Sequence, residues 1–211
     1  LYIHPEVKVL VYDVEASSFS SAQLSANSYR LFLPFYGDQE VGSHVREQLP
    51  SALSAMQYAL LKTTRYNDSA VNRSIRGWLG YDENLKQGRV DLDVLHKRIA
   101  NGKTRPIRVE QDNLDAFRSL IADVTNQGVR VVLWHPPTID VLDNVDRTAR
   151  LSVRQIFRDL ADQSPSVDYF EYVDEYRDKH ELFYDGIHLN GKGKPIITDM
   201  LADNIHQLGI L

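Results

Sequence analysis

The chain has 211 residues, 43% of them hydrophobic and 25% charged. This is the balance of a globular domain long enough to bury a core, and it excludes global disorder. The net charge of −5 comes from dispersed residues of both signs with no basic stripe, which argues against a nucleic-acid partner. The absence of cysteine removes disulfides, zinc-thiolate sites and a thiol nucleophile, and no apolar run reaches the ~18–20 residues needed to span a bilayer.

The first strong element is Val7–Val14, β-branched and nearly continuous in apolar character, as expected of a strand buried on both faces. Residues 15–28 read as a Ser- and Ala-rich loop with a helical turn. Tyr29–Tyr36 reads as a short strand or an apolar loop, with Pro34 against a central strand. Leu49, Leu53, Met56, Leu60 and Leu61 give residues 44–65 a helical spacing. Residues 66–108 are polar and punctuated by glycine. They read as an insertion over the core of a single 1–211 domain, with one short helix over Asp91–Ala100.

The second half is more regular. A helix is expected over 111–127, with Leu114, Phe117, Leu120, Ile121 and Val124 on one face and a stop at Gly128. A buried strand over Val129–Trp134 follows, closed by His135-Pro136-Pro137. Then come a helix over 146–162, a strand over Val167–Val173 and a last helix over Lys194–Leu208. Strands alternating with helices predict a parallel α/β sheet with helices on both faces. Sites in such sheets gather at the carboxyl ends of the strands. Asp13, Glu15 and Ser17 follow the first strand, His135 ends the next, and a loop at Asp185 follows the third.

That loop carries the chemistry. Asp185 and His188 stand three residues apart in the run Phe183-Tyr184-Asp185-Gly186-Ile187-His188-Leu189-Asn190-Gly191-Lys192-Gly193, ahead of the terminal helix. A histidine base needs a fixed tautomer and a pKa near neutrality, and a carboxylate hydrogen-bonded to it supplies both. Gly186 would let the backbone turn tightly between them. The spacing also suits a turn-forming Asp185 beside an ordinary, partly buried His188.

The run resembles the last sequence block of the SGNH (GDSL-like) hydrolases, where an Asp-x-x-His motif continues as Leu, Asn or Ser, two further residues and Gly. Asp185, His188, Leu189, Asn190 and Gly193 match that form. The resemblance covers residues 105–211 well and 1–20 loosely. It is nearest to the extracytoplasmic branch with the alginate acetylation proteins and the D-alanine transfer protein of teichoic acid assembly. It implies a three-layer α/β/α, flavodoxin-like domain lacking its first strands. The activity implied is ester hydrolysis or O-acyl transfer on an acylated carbohydrate or cell-envelope polymer. It further implies an extracytoplasmic location and a membrane-bound acyltransferase as partner. His188 would be the base and Asp185 its orienting carboxylate.

The family's nucleophile is a serine in a Gly-Asp-Ser or Gly-Ser-Ser turn after the first strand. Gly37-Asp38-Gln39 has glutamine at the serine position, and Gly42-Ser43-His44 follows a polar stretch; both read as surface turns. Leu1–Val14 reads like the family's third strand, so the serine is expected to lie outside this chain or to be missing. Ser17 or Ser18 stands by position where the family has an oxyanion asparagine. Without the serine, the rival reading is a non-enzymatic module that binds a glycan or a partner protein.

The other candidates have plainer explanations. His135 ends a strand before a rigid turn, although it also lies on the edge where a substrate would sit. The run Asp168–Tyr176 suggests a carbohydrate platform or a calcium site. Strand alternation accounts for it, with Tyr169 and Glu171 on one face and Phe170 and Tyr172 on the other. It lacks the glycine-punctuated oxygen ligands of an EF-hand, and no metal is expected. Neither a P-loop nor G-x-G-x-x-G is present, so no nucleotide cofactor is expected. Two N-x-[ST] sequons, at Asn67 and Asn72, matter only on a glycosylating route.

Overall fold

A parallel sheet of three strands, in the order β1-β2-β3, organises the molecule. The strands are Val9–Asp13 (β1), Arg130–His135 (β2) and Val167–Glu171 (β3). The computed structural model describes residues 4–20, 37–48, 78–79 and 87–209. Tyr29–Tyr36, both sequons and the helical spacing beyond Gln48 lie outside the described residues. The chain divides into two compact units, Leu1–Ser21 with Leu85–Leu211, and Ala22–Asn84. The sheet lies entirely in the first.

The second unit contributes α1 (Gln39–Gln48). The Asp38 carboxylate accepts the N–H groups of Glu40 and Val41 at its start, an Asx cap that satisfies two otherwise orphan donors. Gly37-Asp38 is therefore a helix entry, and Gly42-Ser43-His44 lies inside the helix instead of in a turn.

In the first unit, α2 (Leu92–Ala100) falls where a short helix was expected, and Asp91 caps the Val94 N–H at its start. Helix α3 (Gln111–Asn126) ends just before Gly128, whose φ of +76° reverses the chain into β2. The short α4 (Asp140–Asp143) and α5 (Arg147–Gln163) lead to β3. The short α6 (Val173–Tyr176), a 3-10 turn (His180–Leu182) and α7 (Gly193–Gln207) follow. The third strand stops at Glu171, two residues earlier than expected, and Val173 starts a helical turn.

Alternation along the strands separates two cores. Val131 and Leu133 of β2 and Val167 of β3 pack with Leu114, Phe117, Ile121 and Val124 of α3 and Val153 and Phe157 of α5. Trp134 and Phe170 face the other way, against Ile139, Tyr172, Phe183, Leu189 and Ile197 of α7. Right-handed crossovers between successive neighbouring strands place both connecting helices, α3 and α5, on one face. The chain after β3 then covers the other, giving helix, sheet and helix layers. Among the described residues β1 pairs with β2 alone, and Val11 on it is 43% exposed, so the expected burial on both faces is not seen at this edge. Among the described residues no helix is long and apolar enough to cross a membrane.

One charged network runs through this architecture. Asp143, 1% exposed, accepts from Arg147 at 2.9 Å and Arg177 at 2.6 Å and pairs with the equally buried Arg154. Arg154 also lies 3.2 Å from Glu171, which Arg158 holds at 2.5 Å. Asp168 takes a two-pronged contact from Arg130 at 2.6 and 2.9 Å. Asp168, Glu171 and Asp174 of the Asp168–Tyr176 run thus face arginines, and its alternation is as read: Tyr169 joins one core and Phe170 the other.

Candidate active site

The Asp185–His188 loop is closed by an isolated antiparallel bridge between Phe183 and Leu189. The Tyr184 N–H donates to the His188 carbonyl at 2.8 Å, and the Asn190 N–H to Leu182 at 2.9 Å. Buried Asn190 fastens the loop to α7. Its amide donates to the Glu181 carbonyl at 2.8 Å, and its side-chain oxygen accepts from the N–H groups of Lys192 at 2.9 Å and Gly193 at 3.1 Å. Leu189 anchors the loop in the second core. A Cβ on Gly193 would lie 2.4 Å from the Leu182 carbonyl oxygen, so only glycine fits there. Gly186 lies in a run of bends and meets a packing constraint as well. It has no positive φ, but a Cβ would come within 3.1 Å of the Leu142 side chain and 3.4 Å of that of Leu95.

Within this frame the Asp185 carboxylate faces inward on its own loop. It accepts from the N–H groups of Ile187 at 3.0 Å and His188 at 2.8 Å, and it meets His188 Nδ1 at 2.8 and 3.0 Å. Partial burial alone would raise the Asp185 pKa. The hydrogen bonds from Ile187 N–H, the imidazole and His188 N–H, with the attraction of a charged imidazole, outweigh it and hold the carboxyl below its ordinary value. An ionised carboxylate only accepts, so Nδ1 carries a proton, and in the neutral ring the lone pair falls on Nε2. The His188 side chain is 58% exposed, and among the described residues Nε2 has no hydrogen-bond partner.

The pair borders a cleft of about 480 Å³, lined also by Glu15, Ser17, Thr138 and Arg150. These come from the segments that follow β1 and β2 and from the first turn of α5. The turn after β1 is held by Ser18, whose hydroxyl accepts the Glu15 N–H at 2.9 Å, and by Phe19, whose carbonyl accepts the Glu110 N–H at 3.0 Å. The Ser17 hydroxyl donates to the Glu15 carboxylate at 2.6 Å. The segment after β2 is tied to the loop by the Ile139 N–H, which donates to the Gly186 carbonyl at 3.2 Å. Leu95, Ile107, Leu142 and Ile187 supply an apolar wall.

The structure therefore brings Glu15 and Ser17 to Asp185 and His188, as strand order suggested, and leaves Asp13 and Ser18 out of the lining. His135 is not in the cleft. It is 1% exposed, packs edge-on against Phe157, and shares a 2.9 Å hydrogen bond between Nδ1 and the Tyr169 hydroxyl. Sequence reasoning missed Thr138 and Arg150. For Arg150 a signal existed, since Arg150, Val153, Arg154 and Phe157 share one helical stripe that is otherwise apolar. Among the described residues no three His, Asp or Glu side chains converge as metal ligands. No family model, curated protein or solved structure matches this chain.

Proposed function

We propose that this cleft is the ester-processing site of an SGNH-type hydrolase or O-acyltransferase, with His188 as general base and Asp185 as the carboxylate that orients it. The observation that carries this reading is the 2.8 Å contact from His188 Nδ1 to Asp185, on an exposed imidazole that lines the cleft. Nε2 removes the proton of an attacking hydroxyl as its oxygen bonds to the ester carbonyl carbon. The imidazolium, stabilised by Asp185, returns that proton to the leaving alkoxide as the acyl C–O bond breaks. An acylated carbohydrate or cell-envelope polymer as substrate, an extracytoplasmic setting and a membrane-bound acyltransferase partner follow from the sequence resemblance alone.

The attacking hydroxyl is the incomplete part. The cleft hydroxyls are Ser17, Thr104 and Thr138, and among the described residues none is hydrogen-bonded to His188. On this reading the serine is supplied from outside this chain. That same observation favours the second reading, a catalytically inactive module that binds a glycan or partner protein through the cleft.

A fluorophosphonate probe, which traps an activated serine, should leave residues 1–211 unlabelled. A labelled serine among them would overturn the view that the nucleophile lies elsewhere. In the protein that carries its serine, His188→Ala should lower ester turnover by about 10²–10⁴-fold with an unchanged melting temperature. Wild-type turnover in that variant would remove the catalytic assignment and leave the binding module.

A further inference from the structure

We propose that Arg150 makes this cleft an oxyanion-binding site, taking the carboxylate or phosphate group of a bound ligand. The inference deepens the ester-site reading by naming the ligand's charge. It rests on that reading only in treating the ligand as a substrate.

Arg150 is 8% exposed, and its Nε donates to the Val145 carbonyl at 2.9 Å. The other arginines of α5 each have a carboxylate: Arg147 and Arg154 have Asp143, and Arg158 has Glu171. Among the described residues Arg150 has no ion pair, and its two terminal amines have no hydrogen bond. A buried cation without a counter-ion is costly. Burial lowers its pKa and Arg154 adds to that, while Asp143, Asp146 and Glu15 act from a distance in the opposite sense. A guanidinium stays protonated regardless.

The amines are not sealed in. The fully enclosed, unpartnered side-chain atoms among the described residues are Trp134 Nε1, Arg154 Nε and Nη1 and Glu171 Oε1. Those of Arg150 are not among them, and the surface that Arg150 lines is the cleft. Arg98, Lys103 and Arg105 also line it, and among the described residues the carboxylates in the lining are Glu15 and Asp185. Asp185 is occupied by His188 and its own loop, and Glu15 by Ser17. What remains is a planar, two-pronged donor in a net positive cleft, a geometry suited to carboxylate or phosphate oxygens.

The test measures binding in the His188→Ala protein, where loss of the base cannot be confused with loss of the anion site. Titrations use galacturonate, glycerol 3-phosphate and neutral galactose. Galacturonate or glycerol 3-phosphate should bind saturably and weaken with added salt, while galactose should not compete. Which anion binds tells a carboxylate from a phosphate ligand. Arg150→Gln should weaken binding about tenfold or more, Arg150→Lys should recover part of it, and Arg118→Gln, on the exposed face of α3, should change nothing. If Arg150→Gln does not fold, side-chain ¹⁵N resonances of Arg150 in the parent protein, shifting with added anion, give the same readout. Absence of saturable binding by both anions, equal affinity in Arg150→Gln, or unmoved Arg150 resonances would each overturn the proposal. Anion binding that holds while ester turnover fails would retain this site and discard the chemistry.

Discussion

His135 should make the protein lose stability in mild acid, in a window that its surroundings define. The ring is 1% exposed between Phe157 and Tyr169. Burial, followed by the charges of Arg154, Arg150 and Arg158, pushes its pKa down to about 3 from an ordinary 6.5. Above pH 6.5 the imidazole is neutral in both folded and unfolded chains, and its contribution is fully present. Below that the unfolded chain takes up a proton that the folded chain refuses, so stability falls until the pH reaches the folded value near 3. At about 1.4 kcal/mol per pH unit, the loss attributable to this group is roughly 3 kcal/mol by pH 4.5. Against a total of about 5–15 kcal/mol for a typical domain, that is a large share. Urea unfolding of wild type and His135→Gln at pH 7 and pH 4.5 isolates the effect, because carboxylate contributions cancel in the comparison. The wild type should lose roughly 3 kcal/mol more than the variant over that interval. Equal losses would refute the reasoning, as would an NMR titration showing His135 protonated near pH 6.

Two further substitutions probe the scaffold around the site. Asp143→Ala should destabilise by about 3–5 kcal/mol, because it strips Arg154 of its closest carboxylate in a buried setting. Adding Arg154→Met should recover part of that loss in denaturant melts, and a strictly additive double mutant would contradict the pairing. Gly193→Ala should cost about 1–3 kcal/mol, since the new Cβ meets backbone at 2.4 Å. An unchanged unfolding midpoint would show that the loop can shift, and that its fit to α7 is not what holds Asp185 and His188.

The parts of this molecule that the sequence discloses are those decided within a few residues. Helix α3 fell where Leu114, Phe117, Ile121 and Val124 repeat with helical period, and it ended at a glycine whose positive φ stops it. The Asp185–His188 contact was visible because both partners sit on one short loop, and the neighbours that hold it, Leu189, Asn190 and Gly193, are equally local. At Gly186 the further constraint from the side chains of Leu142 and Leu95 lies distant in sequence. The same distance hid Thr138 and Arg150, whose relation to His188 exists only once the sheet is assembled. β1 read as buried on both faces because Val7–Val14 is nearly continuous in apolar character, and composition does not show that among the described residues it pairs with β2 alone.

That Asp185 and His188 share one loop separates two kinds of change in this protein. The hydrogen bonds that set their mutual geometry are made within the stretch from Glu181 to Gly193. What the imidazole meets is set elsewhere, by the turn after β1, the segment after β2 and the first turn of α5. Substitutions at those three places can reshape the cleft lining while the Asp185–His188 contact stays in place, much as a tool head is exchanged on a constant drive.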